Sequence, residues 1–297
     1  MHVWTFDETK QGIVEEYPIG TTQTKVAVID SGVQRDHPDL WWIFTEYGTD
    51  CFNNVYISGQ HYGWYRESDQ YRNHGTNVAG IIAAHTNNSF PDPPHYNGVA
   101  SCSPGIRVVP IYIPFTKGNA VEKAVRALRF DYYLTGPPDP ETGRPFATSV
   151  RVASMSLGAE YPDQKIADYD IGRDVLVEHR FYVAAAGNYG QYGKYYPAAK
   201  DVVLGVTGMD GEVDGNDLTE TFEQHPSTNY YTCAEPQVYG VSAFFEFSFI
   251  PWGGCDDDAM ESLWSTWISS NYGGFGGTSA ATPQVAALAA RLYEEKP

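Results

Sequence analysis

Five short apolar runs punctuate the chain: Lys25–Ile29 (KVAVI), Ile106–Ile113 (IRVVPIYI), Val150–Leu157 (VRVASMSL), Arg180–Ala186 (RFYVAAA) and Asp201–Val206 (DVVLGV). Runs this short, apolar at consecutive positions, predict strands buried on both faces, as in a parallel sheet. Between and after them, apolar residues recur with helical spacing over Thr76–Ala84, Ala120–Phe130, Ile166–His179 and Ala280–Glu295. Strands alternating with amphipathic helices predict an α/β fold, a doubly wound and mostly parallel sheet flanked by helices. No repeat or long linker divides the pattern, so a single domain is expected over residues 1–297, its core within 25–295. Four stretches read as loops interrupting this plan: Trp41–Arg72, Ser89–Tyr96 with its PDPP, Gly136–Pro145 with its prolines, and the long, mixed Asp210–Asn271. In such folds the loops at the carboxyl ends of the strands build the site.

Composition narrows the partners. Apolar residues at 42% and charged residues at 19% suit a chain with a sizeable core. Thirty-seven acidic against nineteen basic side chains give a net charge of −18, a field that repels phosphate backbones and anionic membrane surfaces. No nucleic-acid partner is expected. No run reaches the roughly 18 apolar residues a membrane span needs, so no membrane insertion is expected either. The opening residues lack a basic start followed by an apolar run. The chain is then either cytoplasmic or a mature segment from which a targeting sequence has been removed. Four cysteines (Cys51, Cys102, Cys233, Cys255) show no C-x-x-C pair. Cys233 and Cys255 flank one loop and are the first disulfide to test, with free buried thiols as the alternative.

Four segments carry candidate chemistry. VAVIDSG ends an apolar strand in Asp30, a carboxylate able to orient an imidazole or merely to cap the strand end as an Asx turn. NHGTNVAG sets His74 at the start of a helix of small residues, facing a cleft or solvent. GTSAATP sets Ser279 at the amino end of an Ala-rich helix, where unpaired amides stabilise negative charge; the plain alternative is that Thr278 or Ser279 is an N-cap. AAAGNYG delivers Asn188 from a strand, as an oxyanion donor or as a Gly-Asn turn.

In the order Asp, His, Asn, Ser, and joined by HPDL, GVA and SLG, these motifs span Val26 to Leu292. The chain thereby resembles the subtilisin family (subtilases) of serine proteases. The resemblance implies a subtilisin-like fold and a serine endopeptidase acting on a peptide or protein substrate, working as a monomer. It makes Ser279 the nucleophile, His74 the general base and Asp30 the group that holds His74, with Asn188 in the oxyanion hole. Ser156, Leu157 and Gly158 would pair with an extended substrate, and Gly187 would line the same cleft.

Further expectations rest on that resemblance. Tyr189 and Tyr195 fall at positions lining the pocket for the residue before the cut; their rings either narrow it, favouring small residues, or turn to solvent. Ala280 stands where the family commonly has methionine, which predicts tolerance to peroxide. No cofactor is needed for the chemistry. A structural calcium ion is implied at Asp39 and Asn88, whose oxygens suit a hard cation. Asp210–Gly215 begins like an EF-hand loop, with an ordinary acidic turn as the alternative. Secreted relatives imply a secreted or extracytoplasmic mature domain. Long insertions suggest selective processing. The competing functions are a same-fold peptide ligase and a catalytically silent peptide binder.

Overall fold

Every residue of β1 (Lys25–Asp30) is buried, as its unbroken apolar run requires. It is flanked in parallel by β4 (Arg107–Tyr112) and by β5 (Val150–Met155). Beyond β5 follow β6 (Phe181–Ala185), β7 (Val203–Asp214) and β9 (Gly240–Phe249), all parallel. Beyond β4 comes β2 (Tyr47–Asp50), parallel, with β3 (Val55–Ser58) folded back on it. β8 (Asp217–Gln224) returns along β7, and the short β10 (Met260–Glu261) along β9. Among the described residues this makes one sheet in the order β10-β9-β7-β6-β5-β1-β4-β2-β3, with β8 branching from β7. The computed structural model describes residues 24–40, 43–44, 47–50, 55–58, 73–85, 99, 101–103, 105–115, 121–122, 124, 128, 150–159, 171, 180–193, 195–214, 217–230, 240–249, 260–261 and 263–295.

Successive strand residues point to opposite faces, so each buried strand feeds two cores. Ala27, Ile29, Val109, Ile111, Ala153 and Tyr182 enter one. Val26, Val28, Val108, Val152, Val183 and Val206 enter the other. The second core is covered by α1 (His74–Ala83) and α2 (Thr278–Glu295), the latter through Ala281, Ala286, Ala287 and Ala290. Side chains that small let a helix lie close on the sheet. The first core is covered by Val121, Ala124, Leu128 and Ile171. Of the expected helices Ala120–Phe130 and Ile166–His179, residues 121, 122, 124 and 171 are helical, Leu128 lies in a turn with its amide donating to the Ala124 carbonyl, and the remainder lies outside the described residues. No described helix is long and apolar enough to cross a membrane.

Two expected loops prove to contain strands. Trp41–Arg72 holds β2 and β3, and Asp210–Asn271 holds the end of β7 with β8, β9 and β10. β8 was hidden because DLTETFEQ holds only Leu218 and Phe222 as apolar residues, where a continuous apolar run was the criterion. The same stretch carries β11 (Leu263–Trp267), which pairs antiparallel with β12 (Asn271–Phe275) as a separate ribbon. Asp210, Glu212 and Asp214 lie in β7, in extended ladders, and not in a calcium-binding turn. Ser89–Tyr96 and Gly136–Pro145 lie outside the described residues.

The ribbon is strapped to α1 by side chains. Asn77 Nδ2 donates to the Thr266 carbonyl at 2.7 Å, Ser265 Oγ to the Asn77 carbonyl at 2.7 Å, and Thr266 Oγ1 to the Thr76 carbonyl at 2.8 Å. β12 runs directly into the amino end of α2, so this strap ties the two helices that begin at His74 and Thr278.

Candidate active site

Asp30 ends β1 with its side chain fully buried, and the Ser31 amide donates to Oδ1 at 2.7 Å. The first turn of α1 lies against this strand end. Gly75 N donates to Ser31 Oγ at 3.1 Å, and Gln34 N to Thr76 Oγ1 at 3.0 Å. A Cβ on Gly75 would collide with the Gly32 carbonyl, so only glycine permits the approach. That approach sets His74 Nδ1 at 2.8 Å from Asp30 Oδ1 and 3.0 Å from Oδ2. A carboxylate only accepts, so Nδ1 carries a proton, and in the neutral ring Nε2 is the bare nitrogen. The imidazole is 19% exposed. Phe115 and Phe275 meet it at interplanar angles of 84° and 85°, with centroids 5.4 and 5.2 Å away. Contacts of this edge-to-face kind contribute about 0.5–1.5 kcal/mol each beyond their buried area.

Thr278 fixes Asn188. The Asn188 carboxamide oxygen accepts from Thr278 N at 2.9 Å and from Thr278 Oγ1 at 2.7 Å, while Thr278 Oγ1 itself accepts the Gly187 amide at 3.2 Å. The oxygen end being held, Nδ2 is the end presented outward on an exposed residue. Gly277 leads into α2 at φ +85°, and a Cβ there would sit 2.8 Å from Asn188 Nδ2. Both the backbone turn and the space for the amide therefore need glycine.

Ser279 follows, in the first turn of α2. Pro283 lacks an amide hydrogen, which leaves the Ser279 carbonyl four residues earlier without its helical donor. Ser156 Oγ supplies that bond at 2.9 Å. In return, Ser279 Oγ donates to the Ser156 carbonyl at 3.1 Å. Among the described residues no hydrogen bond joins Ser279 to His74. The expected contact between Ser279 and His74 is replaced by one between Ser279 and Ser156.

Ser156, Leu157 and Gly158 run on past Met155, the last β5 residue in register with β6. Leu157 packs on the first core. Ala159 and Tyr196 exchange two backbone bonds of 2.8 Å, which carries Tyr195 alongside Gly158. A Cβ on Gly158 would collide with the Tyr195 ring, and one on Gly187 would come within 3.1 Å of it. Tyr195 is thus wedged between Gly158 and Gly187, while Tyr189 is 61% exposed with its ring 6.0 Å away. Asn229, wholly internal, holds the intervening loop: Oδ1 accepts from Tyr189 N at 3.0 Å, and Nδ2 donates to the Ala186 carbonyl at 3.0 Å.

Asp39 is buried away from this cleft, accepting from Val99 N at 3.0 Å and from the Tyr272 hydroxyl. Burial and the Asp39 charge push the Tyr272 phenol up. Asn88 lies outside the described residues, among which no three His, Cys, Asp or Glu gather as a metal site. Nearby, buried His37 is held neutral: Nε2–H donates to the Asn271 carbonyl at 2.9 Å and Nδ1 accepts Asp39 N–H at 3.1 Å. Burial lowers its pKa. Cys102 is a free thiol that burial pushes up to about 12, which disfavours its thiolate. Cys51, Cys233 and Cys255 lie outside the described residues.

Sequence reasoning missed the hydroxyl of Thr278 as a clamp, the capping of Ser279 by Ser156, Asn229, and the two phenylalanines. The GTSAATP motif did hold a signal for the second, since a proline four residues after Ser279 must orphan its carbonyl.

A sequence profile described as the Subtilase family matches residues 21–297. The chain is 29% identical over 279 residues to a thermophilic serine proteinase of Bacillus sp. (strain AK1), covering 93% of this chain and 53% of that one. It is 27% identical over 282 residues to thermitase of Thermoactinomyces vulgaris, covering 91% and 75%. The chain thus spans about half the length of the first relative and three-quarters of the second. Among solved structures, Sphericase superposes with a TM-score of 0.69 at 22% identity, covering 94% of this chain and 79% of that one. The S41 psychrophilic protease gives 0.68 at 20%, with the same coverage.

Proposed function

Since the chain belongs to the subtilase family, we propose that it is a serine endopeptidase, cutting peptide bonds through an acyl-enzyme on Ser279. One observation carries this reading. Asp30 holds Nδ1 of His74, and Thr278 holds the oxygen of Asn188. Each useful atom, Nε2 as proton acceptor and Nδ2 as donor, is thereby the end left for a substrate. In this reading Ser279 Oγ attacks the scissile carbonyl and gives its proton to Nε2. Asp30 stabilises the imidazolium without taking the proton, and His74 returns it to the leaving amine. Asn188 Nδ2 and the Ser279 amide take the oxyanion, a donor contribution that is typically worth about 2.7–4 kcal/mol in the transition state.

An extended substrate adds as a strand along Ser156–Gly158. The Ser156 carbonyl that now accepts Ser279 Oγ is then claimed by a substrate amide, and the hydroxyl turns to His74. Tyr195, wedged between Gly158 and Gly187, supports a shallow pocket that takes small residues before the cut. Of the implied calcium ligands, Asp39 is a poor fit. Its carboxylate is engaged by Val99 and Tyr272, whereas calcium takes about six to eight oxygens. No step runs through a metal.

A fluorophosphonate probe tests the reading. Labelling of Ser279, read by peptide mass spectrometry, should vanish in Ser279→Ala and slow in His74→Ala. Absent labelling of the native protein, or labelling that survives Ser279→Ala, would overturn it.

A further inference from the structure

Asp30 alone does not fix the direction of the His74 ring. Its two oxygens lie at 2.8 and 3.0 Å from Nδ1, so the N–H points between them and the imidazole can rock across the carboxylate with little change in either bond. Rocking displaces Nε2, at the far side of the ring, more than Nδ1. What stands beside the ring is aromatic. Phe115 and Phe275 stand nearly perpendicular to the imidazole, with centroids 5.4 and 5.2 Å away.

Each phenylalanine is seated independently of the histidine. Phe115 follows β4 and packs on the first core, with Leu157. Phe275 ends β12 opposite Leu263 and packs on the second core. Each core therefore presents the imidazole with one ring. In sequence Phe275 is a lone aromatic between two glycine pairs, Gly273-Gly274 and Gly276-Gly277, so neighbouring side chains leave room for its ring beside the histidine.

Resting on the assignment of His74 as the base, we propose that Phe115 and Phe275 are positioning residues for proton transfer: together they hold the imidazole in the orientation from which Nε2 takes the proton of Ser279, once its hydroxyl turns, and passes it to the substrate's leaving nitrogen. They act through His74 and donate or accept no proton themselves.

The experiment compares Phe115→Ala and Phe275→Ala with Phe→Leu at each position, which keeps apolar bulk in the core but lacks a flat ring. Three quantities are read on each: the second-order rate of labelling by a small fluorophosphonate, kcat and KM on a peptide substrate, and the melting temperature. The probe needs Ser279 and its base but no extended substrate contacts. Each Ala variant should label and turn over about 10-fold more slowly with KM within about 2-fold, because sub-ångström misplacement of a reacting group costs rate and not binding. Leu variants should fall between, and Phe→Tyr should restore the rate. Native labelling rates with a raised KM would overturn the proposal, by making these rings walls of the substrate cleft. So would a loss of labelling that merely follows the loss of folded protein, with Leu as good as Phe. Failure of the native protein to label would instead sink the assignment of function.

Discussion

Replacing Thr278 by Val tests the Asn188 clamp with almost no change of shape. The substitution deletes one hydroxyl and with it two contacts, the 2.7 Å donation to Asn188 Oδ1 and the 3.2 Å acceptance of Gly187 N–H. Thr278 is wholly buried, so no water can replace the hydroxyl. Leaving the Gly187 amide unsatisfied should lower stability by about 1–3 kcal/mol. The catalytic effect is separate. Asn188 keeps its second tether, the 2.9 Å bond from Thr278 N, so its donor is loosened and not lost. Complete loss of such a donor costs roughly 10²–10³ in kcat; loss of one of two tethers should cost about 10-fold, or about 1.4 kcal/mol. KM should hardly move, because the oxyanion exists only beyond the ground state. Steady-state kinetics on a peptide p-nitroanilide would be run for Thr278→Val, Asn188→Ala and the double variant. If the hydroxyl works through Asn188, the double variant should be no slower than Asn188→Ala alone. Multiplying effects, or a raised KM with unchanged kcat, would refute the clamp.

Tyr195→Ala should open the pocket: preference for Phe over Ala before the cut should rise about 10–100-fold, from burial of a ring worth roughly 1.5–3 kcal/mol, and an unchanged peptide-library profile would show that the ring does not restrict it. His37 should make the fold acid-sensitive. Its folded pKa lies below the ordinary 6.5, so below that pH the unfolded chain binds a proton the folded one refuses; stability is full above 6.5 and is lost as pH falls through the folded value. Urea melts between pH 8 and 5 should show a shallower acid loss in His37→Asn, and equal slopes would remove His37 from the account. EGTA should move the melting temperature by less than about 2 °C, under about 1 kcal/mol for a chain of this size; a fall of about 10 °C would restore a structural calcium ion. With Ala280 where relatives carry methionine, activity should outlast dilute peroxide that inactivates a Met-bearing relative.

What was legible in the sequence was whatever is encoded locally. KVAVI reads as β1 because burial on both faces leaves a continuous apolar run, and that run delivers Asp30 to the strand end. The residues after Ser279 read as α2 because their alanines recur with helical spacing, one face of which is buried. β8 escaped because DLTETFEQ holds only two apolar residues, Leu218 and Phe222, and a run this polar is indistinguishable from a loop until a partner strand is known. Thr278 looked like an N-cap because its actual acceptor, Asn188, is 90 residues away in sequence. The direction of the Ser279 hydroxyl could not be read either: the Ser156 carbonyl competes for it, and that competition exists only once β5 and α2 are side by side. Tyr195 was placed near the pocket by its motif, but its wedging between two glycines follows from the Ala159–Tyr196 bridge.

Asp30 and His74 leave the ribosome long before Ser279 does, and so does Asn188. Every strand of the main sheet is translated while the nucleophile is still unmade. The hydroxyl then arrives on a helix whose alanine face must settle into a slot lined by Val26, Val152, Val183 and Val206. In the reading proposed above, a nascent molecule therefore has no hydroxyl for His74 to activate, and cannot nick itself or its neighbours until α2 docks.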